Sequence, residues 1–295
     1  MTGRGNRAFA TFIAVCAAAF VLIGMGACML LGIVGYRVQR DGFGALTADG
    51  NDVRPALLFL VIVAAGTVAG LWSLHRQWQA TRRLQVRVEE LRIAPSPKLL
   101  EAAARVDVAG QVDLVDASEP FSFTHGLGRA RIVVSRGLAE SLADDELDAV
   151  LEHERYHVRN LDPLKVFVTR LLAPMLFFLP SLRELRARYI ADRELAADRR
   201  ALRRHGQRPL AGALSKVIGS PAWVQLSPAA ALGGGEALEA RVSQLETGEP
   251  PRAPRFSRPA VVLSAIGGSV LLAAFSASVF AFGGPAALAR LCGGA

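Results

Sequence analysis

At 295 residues the chain has room for one sizeable domain or two small ones, but it is 52% hydrophobic and much of that lies in a few long runs, which argues against a single water-soluble core. The net charge of +8 sits mostly on arginines beside those runs, so it reads first as membrane topology and only weakly as affinity for nucleic acid. Cys16, Cys28 and Cys292 include no C-x-x-C pair, which argues against a disulfide framework, redox chemistry or a zinc knuckle.

Residues 8–36 carry no charge, whereas about 20 apolar residues suffice to cross the hydrocarbon core. A cleaved signal peptide has an apolar core of only about 7 to 15 residues, so a retained anchor is expected. Gly24, Cys28 and Gly32 form a small-residue stripe on which another membrane helix could pack, a candidate basis for a helix-mediated oligomer. The loop from Arg37 to Arg54 balances Asp41, Asp49 and Asp52 against three arginines. A second run, 55–74, contains the G-x-x-x-G pair Gly66 and Gly70 and exits into His75, Arg76, Arg82, Arg83 and Arg87. That basic exit places its end in the cytoplasm. With Arg4 and Arg7 also inside, residues 1–75 form a transmembrane hairpin with both ends cytoplasmic.

Residues 76–97 continue as a cytosolic helical stalk, with Leu84, Val88 and Leu91 at helical spacing until Pro95 and Pro97 break it. A domain over 98–248 follows. Val106–Val108, Val112–Val115, Phe121–Thr124 and Ile132–Val134 read as short strands of a small sheet. Asp144, Asp145 and Glu146 then open a helix, their charges suiting its N-terminal dipole, and Leu147, Val150, Leu151 and Val158 give it an apolar side.

Within that helix lies His153-Glu154-Arg155-Tyr156-His157, an H-E-x-x-H motif. Histidines four apart on one helical face can hold one zinc ion, with the glutamate placed to act as general base, Glu154 here. Catalytic zinc usually takes a third protein ligand. A second, arginine-rich helix from Ser181 to Arg204 carries Glu194 and Asp198 on one face. Glu194 is assigned as the third ligand, and Asp198 as the outer carboxylate that orients a ligand histidine. Taken alone this helix would read as a solvated, salt-bridged surface; the upstream motif tips the reading. His75, His125 (in a loop before a strand) and His205 read as structural. Tyr189 or His205 could stabilise an oxyanion, and the spacing does not choose between them.

Between the two halves of the site, Pro163–Pro180 looks like another span. One crossing would put Glu194 across the bilayer from His153, so residues 164–180 are expected to form a buried or membrane-dipping helix that keeps the site cytoplasmic. Leu210–Ile218 and Glu236–Leu245 read as helices flanking a Pro, Ala and Gly-rich loop from Ser220 to Gly235. Residues 249–295 hold a basic linker with Arg252, Arg255 and Arg258, a last span at about 259–282, and a short tail outside.

These residues resemble the BlaR/MecR-type membrane zinc metallopeptidases, antirepressor and sensor peptidases. The resemblance rests on His153-Glu154-x-x-His157, the preceding Glu146-Leu147-x-x-Val150-Leu151, Asp162-Pro163-Leu164, Arg193-Glu194-Leu195-Ala196-Ala197-Asp198, and Pro120–Thr124 leading to Ile132–Val134. It covers roughly residues 95 to 245, and the Glu-x-x-x-Asp element is shared with the prenyl-protein-protease and heat-shock membrane peptidases. The sensors carry an extracellular penicillin-binding domain after the last span and usually four spans, against a short tail and three spans read here, so direct β-lactam sensing is not expected. The expected fold is mainly α and integral to the membrane: three transmembrane helices plus a cytoplasmic α+β zincin-like metallopeptidase domain with a small β-sheet.

The leading expectation is a multi-pass zinc endopeptidase of a bacterial cell membrane, holding one catalytic Zn2+, with N-terminus and active site cytoplasmic and C-terminus outside. An extended protein or peptide substrate would pair with the sheet near Phe121, Ser122, Phe123 and Thr124. The resemblance implies a transcriptional repressor as substrate, in signalling or regulated proteolysis, and a membrane protein is equally compatible. A non-catalytic signalling or scaffold protein with a structural zinc is the alternative. A nucleic-acid tether has only the arginine count behind it, and no specific nucleic acid is expected.

Overall fold

The computed structural model describes residues 4–46, 53–218, 234–249, 251 and 255–292. The expected loop from Ser220 to Gly235, Asp49, Asp52 and Arg252 fall wholly or largely outside them. In chain order the elements are α1 (Arg4–Asp41), α2 (Arg54–Leu91), β1 (Arg92–Ile93), α3 (Pro97–Arg105), β2 (Val112–Val115), β3 (Ser122–His125) and β4 (Arg131–Ser135). There follow α4 (Arg136–Ser141), α5 (Asp144–Arg159), α6 (Asp162–Met175), α7 (Ser181–His205), α8 (Gln207–Ile218), α9 (Gly234–Thr247) and α10 (Arg258–Cys292). The protein is mostly helical, with one small mixed sheet. It divides into two units: Thr11–Ser73, Leu171–Glu184 and Phe256 onward form one, and the remainder forms the other.

In the first unit, α1, α2 and α10 each contain a stretch long and apolar enough to cross a membrane. Leu22, Leu31, Val68 and Leu272 on these helices are each more than 60% exposed, as apolar side chains facing lipid would be. Leu30, Ile33, Phe59, Ala274 and Phe282 pack into the unit's own core. Gly66 and Gly70 are there for close approach. A Cβ on Gly66 would collide with the carbonyl of Met175, and one on Gly70 with the Met175 side chain. Gly267 of α10 stands in the same relation to the carbonyl of Phe178. Ser181 N–H donates to Ser264 Oγ at 3.0 Å, and Ser257 N–H to Glu184 Oε2 at 3.0 Å. The turn after α6 is thus gripped by glycines of α2 and α10. By contrast, a Cβ on Gly24 or Gly32 would meet nothing within 4 Å among the described residues. Beyond Phe282, where a tail was expected, the backbone of α10 continues as helix to Cys292.

In the second unit the sheet has strand order β1-β2-β4-β3, with β2 and β4 parallel and both outer strands antiparallel to their neighbours. The alternation of strand side chains gives it two distinct faces. Val112, Leu114, Ile132 and Val134 join the core formed with α3 and α5. Val115, Val133, Phe121 and Phe123 pack on the other side with Leu84, Val88 and Leu91 of α2, the stalk residues. Asp113 anchors the latter face, accepting a two-pronged contact from Arg131 at 2.5 and 2.7 Å.

Two local expectations are corrected. Val106–Val108 is no strand: Pro97 opens α3, capped by Ser96, whose Oγ accepts from Leu99 N–H, and Val106–Val108 is the turn that ends it. Its valines are buried in the core, while Asp107 adopts φ +57° and accepts from Arg155 and Arg159 at 2.6 and 3.0 Å. A V-D-V alternation is satisfied as well by a turn with two inward valines as by a strand. His125 closes β3 instead of lying in a loop before a strand.

Candidate metal centre

Helix α5 presents the motif because its N-terminus is well anchored. The Glu146 carboxylate accepts from Ala143 N–H at 2.7 Å, and Asp144, Asp145 and Glu146 face the helix dipole. Arg200 of α7 donates to the buried Glu152 of α5 at 2.7 Å, tying together the two helices that carry the motif and Glu194. At the far end, Asn160 Nδ2 bonds back to the Tyr156 carbonyl, and Leu161 takes φ +54°, a strained conformation for a branched side chain. That turn delivers Asp162 beneath the motif.

His153, His157 and Glu194 are all buried, with one ligand atom from each lying within 4.8 Å of the others. The two histidine Nε2 atoms face each other at 3.1 Å, and the Glu194 oxygens lie 3.6 Å from His153 and 3.8 Å from His157. Donors held about 2.0–2.2 Å from a tetrahedral zinc ion are roughly 3.3–3.6 Å apart, and the observed 3.1, 3.6 and 3.8 Å bracket that spacing.

The outer nitrogens each face a carboxylate. His157 Nδ1 donates to Asp162 Oδ2 at 2.7 Å, and His153 Nδ1 lies 2.8 Å from Asp198 Oδ1. In the neutral imidazole, which metal binding requires, a proton held at Nδ1 leaves each Nε2 lone pair directed at the shared centre. The donor set therefore fits a divalent cation of the zinc class.

The surrounding charges are steeply biased. Burial works against ionising Glu194, but Arg193, whose guanidinium donates to Oε1 at 3.0 Å, and the two histidines hold its carboxyl well below the usual range. Burial likewise opposes the charge on Asp198; Arg241 and His153 reverse this and bring it down to about 2. Arg241 grips Asp198 with two bonds, 2.7 and 2.8 Å, and is itself raised despite its burial. His153 is pushed up to about 9: burial lowers it, and Asp198 and Glu194 outweigh that. Asp162 is lowered, burial being overcome by His157.

Glu154 is buried beside the centre and bonded to β3, where Ser122 Oγ donates to Oε1 at 3.0 Å and Thr124 Oγ1 to Oε2 at 2.8 Å. Of the four strand residues singled out from the sequence, Ser122 and Thr124 thus face α5. Phe121 and Phe123 stack at 5.9 Å on the opposite face. Tyr189, a candidate oxyanion donor, donates a hydrogen bond from its hydroxyl to Asp162 Oδ1 at 3.0 Å and is 1% exposed. Sequence reasoning missed the roles of Asp162, Arg193 and Arg241. Asp162 had a usable signal, a carboxylate at the first residue of the helix just after the motif; Arg241 had none, lying 43 positions from its partner.

A family model described as BlaR1 peptidase M56 matches residues 48–245. The chain is 29% identical over 153 residues to Protease HtpX of Psychrobacter sp. (strain PRwf-1), covering 48% of this chain and 50% of that protein. It is 32% identical over 142 residues to Protease HtpX of Cellvibrio japonicus (strain Ueda107), covering 45% of each. A Protease HtpX homolog of Aquifex aeolicus (strain VF5) is 34% identical over 74 residues, 24% of each chain. The chain spans about half the length, or less, of these relatives.

Proposed function

Since the chain belongs to the BlaR1 peptidase M56 family, we propose that it is an integral membrane zinc endopeptidase that cuts a protein substrate at the cytoplasmic face of a bacterial membrane. The observation that carries this is the convergence of three buried donors, His153 and His157 of α5 and Glu194 of α7, with a buried carboxylate, Glu154, next to His153 on α5. Zinc held there supplies Lewis acidity, which activates water and polarises the scissile carbonyl.

The chain's own residues do the rest. Glu154 takes a proton from the attacking water at a carboxylate oxygen and returns it to the leaving amine. Asp162 and Asp198 keep the histidine tautomers that leave Nε2 free to bind. Among the described residues β3 is an outer strand paired only with β4, so its other backbone edge can add an extended substrate strand, with Phe121–Thr124 as the recognition segment. The substrate class is a protein or peptide, either a soluble transcriptional repressor or a membrane protein.

We place the peptidase domain over 98–248 after a stalk at 76–97, with the spans, orientation and dipping segment as read from the charges. The grouping of Leu171–Glu184 with the apolar helices, while residues up to Arg170 and from Leu185 belong to the other unit, supports a dip and return in place of a crossing. The rival, a scaffold with a structural zinc, calls for a closed set of four protein donors; among the described residues the cluster has three.

The test is Glu154→Gln. It should keep its zinc and lose cleavage by about 10²- to 10⁴-fold, and protein N-termini present in wild-type cells but missing from Glu154→Gln cells would identify substrates. Cleavage at the wild-type rate by the variant would end this mechanism.

A further inference from the structure

We infer that Ser122 and Thr124 are positioning residues for the general base, holding the Glu154 carboxylate in one orientation from the strand that would receive the substrate. The inference rests on Glu154 being that base. Each carboxylate oxygen takes one hydroxyl donor, Ser122 on Oε1 and Thr124 on Oε2, and Thr124 Oγ1 also lies 3.3 Å from the Glu154 carbonyl. Two oxygens offer about four acceptor sites, so one donor on each leaves room for a water proton.

The two hydroxyls reach one side chain because residues two apart on a strand share a face. Register fixes which face. Ser122 pairs with Val134 and Thr124 with Ile132, both of which point into the α5-side core, whereas Phe123 pairs with Val133 on the opposite face. The two hydrogen bonds that direct the carboxylate come from neutral hydroxyls, with Arg241 close enough for its charge to act on Glu154. Neutral donors aim a carboxylate without placing a full positive charge on the group that must accept a proton. A Glu side chain left without them has three rotatable bonds and a buried, unsatisfied carboxylate, and would turn to find other partners. The base and the substrate-receiving edge would therefore be set by the same four-residue strand.

The experiment uses the full-length protein in detergent, loaded with Zn2+ for cleavage of fluorescently labelled casein and with Co2+ for its visible absorption spectrum. Thr124→Val and the double variant Ser122→Ala, Thr124→Val should lower kcat, the double by about 10- to 100-fold, since a small misplacement of a reacting group has effects of that order. KM should hold within about twofold, the sign of an interaction that acts in the transition state. Thr124→Ser, which keeps the hydroxyl, should recover most of the rate. The Co2+ spectrum of the double variant should move in the same direction as that of Glu154→Gln, and it decides the question alone if casein is not cleaved. A double variant with wild-type kcat and spectrum beside an inactive, shifted Glu154→Gln overturns this inference alone. So does a Thr124→Ser loss as large as that of Thr124→Val, or loss of metal from the double variant. A Glu154→Gln protein that cleaves, or leaves the spectrum unmoved, overturns the base assignment beneath it.

Discussion

Arg241 shows how much of the candidate metal centre lies outside its three donor residues. Its guanidinium and Asp198 are both buried and joined by two bonds, and Asp198 in turn contacts His153. Removing one partner of such a pair leaves a buried charge uncompensated, which costs about 3–5 kcal/mol. Arg241→Met should therefore lower the unfolding midpoint in denaturant, and it should weaken zinc binding by about 10- to 100-fold, as loss of an outer partner commonly does. Unchanged zinc affinity in a folded Arg241→Met protein would show that Asp198 orients His153 unaided. The histidine pair and Glu194 with Asp198 were legible in the sequence because helical periodicity alone puts residues four apart on one face. Asp162, Ser122, Thr124 and Arg241 meet their partners only through turns and sheet register, which no local spacing encodes.

Among the elements, the sheet and the α6–α7 turn make separate predictions. Burial would raise Asp113, but the bonds from Arg131 and the charge of Arg92 hold it below the usual range. A carboxyl lowered in the folded state adds stability that is present above its unfolded pKa, about 3.9, and is lost as pH falls through the folded value. The stability difference between wild type and Asp113→Asn, followed by denaturation from pH 7 downward, should thus be full at neutral pH and shrink below about pH 4. A difference that is independent of pH would mean that Arg131 contributes only packing. In the apolar unit, Gly66→Leu forces a side chain into the Met175 carbonyl and should cost about 1–3 kcal/mol as overpacking, read as a lower thermal midpoint. Gly32→Leu, where an added Cβ meets nothing within 4 Å among the described residues, should be silent in the isolated chain. The sequence showed both glycine pairs but not which one is used, because that depends on where Met175 comes to lie. The strand reading of Val106–Val108 fails for a similar reason, since a turn buries two valines as well as a strand does.

For the whole molecule, the three apolar helices were readable from charge-free length alone, and their arginine flanks set the proposed orientation. An alkaline phosphatase reporter, active only outside the cytoplasm, should be silent when fused after Thr247 and active when fused after Phe282. The opposite pattern would invert the topology and move the metal centre to the other side of the membrane. The expectation that residues 164–180 dip or lie buried without crossing comes from the requirement that His153, His157 and Glu194 meet. The four residues of β3 carry one more consequence. An open strand edge reads backbone, so it recognises a conformation before it recognises a sequence. A segment that must first be peeled from its own fold at a cost of about 4 kcal/mol would be presented roughly a thousand times less often than the same segment in a frayed or unfolded chain. Under the proposed pairing, the enzyme would spare intact proteins by thermodynamics alone, and a signal could mark a substrate for destruction simply by loosening it.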